Sequence, residues 1–115
     1  MATDKSGLTG NTTLLILKLL EDQDMYGYQM IETLSRRSNE MFNLKAGTLY
    51  PILHGLENEG MVESYEDRIE GERMRKYYHI TDKGRKRLID KNAEWKEYVS
   101  AVNQVLNGGL SYASV

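Results

Sequence analysis

The chain has 115 residues, 40% of them apolar and 28% charged, with a formal net charge of −2 and no cysteine. That length is most simply one domain with one core, and the missing cysteines exclude disulfides, Cys-based zinc sites and thiol nucleophiles and fit a reducing cytoplasm. No apolar run approaches the roughly 20 residues of a membrane span, and the N-terminus lacks the basic-then-apolar order of a signal peptide, so a cytoplasmic protein without a membrane partner is expected.

The charge is unevenly spread. Arg68 to Lys91 holds nine Lys/Arg and four Asp/Glu, a local sum of +5, which leaves −7 for the remainder. A basic zone on an acidic body is the electrostatic footprint of a nucleic-acid binder.

In chain order, residues Met1 to Leu8 read as a loosely held arm. Thr12 to Glu21 is apolar almost all round (Leu14, Leu15, Ile16, Leu17, Leu19, Leu20). A helix of that kind is covered on every side, here partly by a second chain. Asp24 is placed to cap the next helix, Met25 to Arg37. Tyr28, Ile31 and Leu34 give that helix an inner face. Gly27 costs it about 1 kcal/mol relative to Ala and suits a close helix crossing. Ser38 to Leu44 is a short connection, with Phe42-Asn43-Leu44 as an extended segment.

Leu44 to Gly60 is the centre of the reading. Leu49, Ile52, Leu53 and Leu56 recur at the i, i+3, i+4, i+7 spacing of a helix with one buried face. Gly60 falls where a left-handed C-terminal cap belongs. Pro51 lacks an N–H, and only the first four N–H groups of a helix go unbonded. The helix therefore begins at Ala46 to Thr48, or bends at Pro51. Lys45, Thr48, Tyr50 and His54 form its donor-rich face.

Met61 to Glu66 reads as a half-buried strand and Asp67 to Glu72 as a turn. Met74 to Ile80 returns with Met74, Lys76, Tyr78 and Ile80 on one face and Arg75, Tyr77 and His79 on the other. Thr81 or Asp82 then caps a long helix from about Lys83 to Leu106. Leu88, Trp95 and Val102 make one row along it, and Asn92, Val99 and Leu106 the adjacent row. A two-row seam needs a partner, and the economical one is the same helix of another copy, antiparallel or crossed. Asn107-Gly108-Gly109 ends the helix, and the last residues, to Val115, form a flexible tail.

Three helices, a hairpin and a long helix make a mainly α fold with a small β-hairpin, in the order of a winged helix-turn-helix. The reading divides the chain into a DNA-binding domain over 1–82, a C-terminal dimerisation helix over 83–107 and the tail over 108–115. The helix end near Lys45 and Thr48 can offer donors to phosphate and base edges. Arg68, Arg73, Arg75 and Lys76 supply the wing. By strand parity Arg73 and Arg75 point outward to phosphate, whereas Lys76 snorkels past the core edge. The alternative for these charges is a solvated rim. An enzyme is not expected, because His54 and His79 lie on different elements with no HxxxH or HExxH spacing. No phosphate-binding glycine loop is present, and neither a metal nor a cofactor is called for.

The motifs Tyr26-Gly27-Tyr28-Gln29-Met30-Ile31, Gly47-Thr48-Leu49-Tyr50-Pro51 with Leu56-Glu57 and Gly60, and Arg75-Lys76-Tyr77-Tyr78 leading to Thr81 and Gly84 occur in this order. Over roughly Leu14 to Leu88 the chain resembles the PadR family of transcriptional regulators, in its compact branch with a single C-terminal dimerisation helix. The resemblance implies a homodimeric repressor that binds a near-palindromic double-stranded DNA operator and is released by a small, often aromatic, effector. It also implies that Trp95 lines a pore at the dimer interface and stacks on flat ligands. The bland role for Trp95 is dimer core. This wing departs from the family pattern: Asp67, Glu70 and Glu72 interrupt its basic residues, it has no proline, and His79 replaces a common arginine. The alternative function is a winged-helix protein–protein interaction module without an operator.

Overall fold

The computed structural model describes residues 5–68, 71 and 73–108. The elements are α1 (Lys5–Asp22), β1 (Met25–Tyr26), α2 (Gly27–Arg37), α3 (Ala46–Asn58), β2 (Val62–Asp67), β3 (Arg75–Ile80) and α4 (Asp82–Leu106). The strands form one antiparallel sheet in the order β1-β3-β2.

α1 is anchored by Ile16, Leu17, Leu19 and Leu20, each at most 2% exposed. Much of this cover comes from the protomer itself, because α2, β3 and α4 all pack on α1, while Leu14 and Leu15 stay half-buried. The expected arm is shorter than the sequence implied, since residues 5–8 are the first turn of α1. Extending an anchored helix is far easier than nucleating one, and no proline interrupts residues 5–11. Residues 1–4 of the arm lie outside the described residues.

The second helix starts two residues later than expected, at Gly27. Met25 and Tyr26 are drawn into the sheet opposite Tyr78 and Tyr77. Burial of Met25 to 1% exposure favours this arrangement, at about 1.5–3 kcal/mol for a side chain of that size. Asp24 is thus too far out to cap α2. Gln29 Oε1 accepts the Tyr26 N–H instead, at 3.4 Å. The inner face of α2 is Gly27, Met30, Thr33 and Leu34. Tyr28, expected inside, is 74% exposed. The third strand of the sheet is β1, and residues 42–44 form no strand. Phe42 and Leu44 pack on the core from a loop. Ser38 organises that loop: its Oγ donates to the Leu34 carbonyl at 2.8 Å and accepts the Phe42 N–H at 3.0 Å.

α3 buries Leu49, Leu53 and Leu56. It starts at Ala46, with Pro51 inside. Pro51 costs it one intrahelical bond, the one its N–H would have made to the Gly47 carbonyl. At the other end Gly60 takes φ +78°, a conformation only glycine adopts readily. The Gly60 N–H donates to the Glu57 carbonyl at 3.0 Å and the Met61 N–H to the Leu56 carbonyl at 2.9 Å. This pair of bonds is the Schellman arrangement, which turns the chain directly into β2.

Val62, Tyr78 and Ile80 point from the sheet into the core, each about 1% exposed. Thr81 caps α4, its Oγ1 accepting the Gly84 N–H at 3.0 Å and donating to the Gly60 carbonyl at 2.7 Å. A Cβ on Gly84 would collide with the Met61 carbonyl oxygen, so the start of α4 is clamped to the end of α3. Leu88 is already buried within the protomer. The seam of α4 that stays open to a partner therefore begins beyond it.

Candidate nucleic-acid interface

Leu49, Leu53 and Leu56 of α3 turn inward. Opposite them, three or four residues apart, lie Gly47, Pro51, His54 and Asn58, all exposed. Lys45 and Thr48 flank this stripe at the helix start and are exposed too. Of the four residues expected here, Tyr50 is placed differently. Its ring crosses Gly27, where a Cβ would collide with Tyr50 Oη and lie 2.7 Å from Cζ. Tyr50 is 37% exposed, and its ring centroid lies 6.5 Å from that of His54. It therefore both packs α3 on α2 and reaches the surface. Gly47 was not singled out from the sequence as a surface feature, yet nothing lies within 4 Å of its would-be Cβ. It leaves bare backbone at the start of the outward stripe.

α3 is held from behind. Ser64 Oγ of β2 donates to Glu57 Oε2 at 2.6 Å. Tyr78 lies beneath, its phenol pushed up from the ordinary value by burial and by the neighbouring Glu57 and Tyr50.

The wing residues fall into two groups. Arg68 and Arg73 are exposed. Arg68 Nε–H donates to Met74 Sδ at 3.5 Å, and its backbone N–H donates to Asp67 Oδ1 at 2.7 Å. Arg75 faces outward as parity requires, but its guanidinium sits over the Tyr26 ring, 4.5 Å from the centroid. Lys76 runs along the core-side face, with Nζ 5.7 Å from the Tyr78 ring centroid, as snorkelling predicts. Glu70 and Glu72 of the wing lie outside the described residues.

One cluster has no counterpart in the sequence reading. Tyr65 Oη donates to Asp24 Oδ2 at 2.7 Å, and His79 Nδ1 lies 2.8 Å from Asp24 Oδ1. It ties the α1–β1 connection to both wing strands. Burial pushes the Asp24 carboxyl up, but the hydrogen bonds from Tyr65 and His79, with the charges of His79 and Arg85, outweigh it and leave it below its ordinary value. The same hydrogen bond, with burial, pushes the Tyr65 phenol up to about 12. Strand parity turned His79 outward, but only the fold brings Asp24 to it. Beside the cluster, Tyr26, Tyr77 and Tyr65 form a row across all three strands, with ring centroids 5.4 and 5.7 Å apart.

The residues expected at a dimer interface lie along α4. Trp95 is 39% exposed and stacks on Tyr98 at 5.8 Å. Val99 and Val102 are half-buried, and Asn92 and Leu106 are exposed. An open groove of about 530 Å³ runs beside Trp95, Val99 and Asn103. Among the described residues no group of three His, Asp or Glu could hold a metal ion, and no helix is long and apolar enough to cross a membrane.

Comparison with known proteins agrees with this architecture. The sequence model of the PadR-like family of transcriptional regulators matches residues 16–90. A transcriptional regulator of Mycobacterium tuberculosis is 34% identical over 89 residues, covering 77% of this chain and 79% of that protein. The structure of a transcriptional regulator from Clostridium thermocellum superposes with a TM-score of 0.79 at 30% identity, covering 86% of this chain and 96% of that one. A PadR-like transcriptional regulator from Bacillus cereus gives 0.76 at 29% identity, covering 86% and 94%. With a winged helix-turn-helix, an exposed outward stripe on its third helix and this breadth of likeness, the chain belongs to the PadR-like family of DNA-binding transcriptional regulators.

Proposed function

We propose that the protein is a homodimeric repressor that binds a near-palindromic operator and is released by a small aromatic effector. The observation that carries the DNA reading is the outward stripe of α3. Its start, with Lys45, Thr48 and bare Gly47, stands exposed while its back is fixed to α2 and β2. In this reading α3 enters the major groove, with the two copies separated by about 34–36 Å or a multiple of it. Arg68 and Arg73 meet phosphates beside the groove, Arg75 and Lys76 line the root of the wing, and His54 and Tyr50 bound the contact.

Exposed apolar side chains on α4 support the dimer. Trp95, Tyr98, Val105 and Leu106 are 39–81% exposed in the single protomer, and a concentration of such residues marks an interaction surface. The groove beside Trp95 offers a flat effector an aromatic wall. Release requires that the effector bind one dimer geometry more tightly than the other.

The test has two parts. Sedimentation gives the mass, for which a dimer is expected. A gel shift against the DNA upstream of the protein's own coding region should show a complex that weakens steeply with salt. No shift at low salt would sink the operator reading. Fluorescence of Trp95, the only tryptophan, should be quenched by flat aromatic compounds that also release the DNA. If quenching and release fail to track each other, the effector site is elsewhere.

A further inference from the structure

We infer that Tyr28, in the first turn of α2, is a DNA-phosphate contact that gives each protomer a second point of grip beside the groove occupied by α3. The inference rests on the DNA-facing reading of α3 and adds a site to it. Tyr28 is 74% exposed, on a helix whose other side carries core residues Met30 and Leu34. Among the described residues it has no hydrogen-bond or ring partner. A large aromatic side chain so exposed, with no bond to hold it, contributes little to the stability of the free protein.

Its position supplies the ligand. Gly27, its neighbour, is where α2 meets α3, because a Cβ there would collide with Tyr50 Oη. The start of α2 is therefore packed on the first half of α3, and exposed Tyr28 stands next to that crossing. When the second helix of a helix-turn-helix lies in the major groove, the first crosses the backbone. That brings the start of α2 to the sugar–phosphate chain. A tyrosine suits the place, because its ring can lie along the sugar while its hydroxyl donates to a phosphate oxygen. One turn further on, the exposed Glu32 presents a carboxylate, which repels phosphate and confines the contact to the first turn.

The chemistry predicts a signature that lysine and arginine do not share. A neutral hydroxyl releases no counterion on meeting phosphate, so its loss lowers affinity without changing the salt slope. The experiment measures binding of the full chain to a random-sequence DNA duplex by fluorescence anisotropy across a range of salt. Tyr28→Phe should weaken binding about tenfold, the scale of a hydrogen bond to a charged group. It should do so equally on unrelated sequences, with an unchanged salt slope and an unchanged thermal midpoint. Lys45→Ala, measured alongside, should weaken binding and reduce the slope by about one per protomer. If Tyr28→Phe binds like the parent while Lys45→Ala is weakened, the Tyr28 contact is overturned and the reading of α3 stands. If both bind like the parent, the α3 reading falls and the Tyr28 contact with it. A loss of affinity with a lowered midpoint also overturns the proposal, because Tyr28 would then be acting through the fold.

Discussion

The Tyr50 ring lies across Gly27 so closely that a single added carbon on the glycine would meet the phenol. This contact sets how α3 crosses α2. Gly27→Ala should therefore destabilise the protein by about 1–3 kcal/mol, the usual cost of overpacking, despite alanine's better helix propensity. Thermal or denaturant unfolding measures it. Tyr50→Ala in the same chain should recover part of the loss, since residues in contact are not additive. Simple additivity would show that the crossing is not governed by this pair.

Asp24 links its pH response to the wing. Its folded pKa lies below the ordinary 3.8, so its contribution to stability is present above that value and fades as pH falls through the lower, folded one. The side chain is 33% exposed, and solvent screening limits the effect to about 0.5 kcal/mol. The parent should exceed Asp24→Asn in stability at pH 6, with the gap closing below pH about 4. A constant gap across that window would mean that the charge of Asp24 is not what stabilises the cluster.

Tyr65 reports on the same bond from the alkaline side. Its phenol is pushed up to about 12 because the Asp24 carboxylate accepts its hydrogen bond. A raised value stabilises the fold below the unfolded pKa, with the contribution lost as pH rises through 12. NMR titration of the Tyr65 ring should show this value in the parent and one closer to 10 in Asp24→Asn. Identical titrations in the two proteins would place the cause elsewhere.

Gly47 offers opposite outcomes for folding and binding. Nothing stands within 4 Å of a Cβ there, so Gly47→Ala should stabilise the protein by about 0.5–1 kcal/mol through helix propensity and reduced unfolded-state freedom. If α3 meets DNA along its outward stripe, the same methyl should weaken DNA binding several-fold. A variant both more stable and equally tight on DNA would move the contact away from Gly47.

Two leucines on α4 separate folding from assembly. Leu88 is 5% exposed and Leu106 is 73% exposed. Leu88→Ala should cost about 2–5 kcal/mol of stability, as a core cavity does. Leu106→Ala should leave protomer folding nearly unchanged and loosen self-association, read by sedimentation over a dilution series. Dimers equally tight in Leu106→Ala and the parent would exclude this end of α4 from the interface.

Several features were legible because their causes are local. The leucine period of α3, the left-handed Gly60, the Thr81 cap and the parity of Lys76 against Arg75 each depend on residues a few positions apart. The start of α2 was read wrongly because Asp24 is a good cap in isolation, and nothing nearby in the chain announces that Met25 and Tyr26 pair with Tyr78 and Tyr77. Tyr28 was misplaced for the same reason. Once the helix begins at Gly27, the glycine occupies the inward position at the crossing.

By itself, then, the sequence determined the order of the four helices and the hairpin, the buried face of α3 and the family. Backbone hydrogen bonding and amphipathic period act over one or two turns, and they leave their mark in adjacent residues. The tertiary structure alone decided that Asp24 joins Tyr65 and His79, 41 and 55 positions away. It also decided that Tyr50 rests on Gly27 and that Leu88 belongs to the protomer's own core. Contacts between side chains so far apart in the chain have no period to read, because they exist only once packing has brought their elements together.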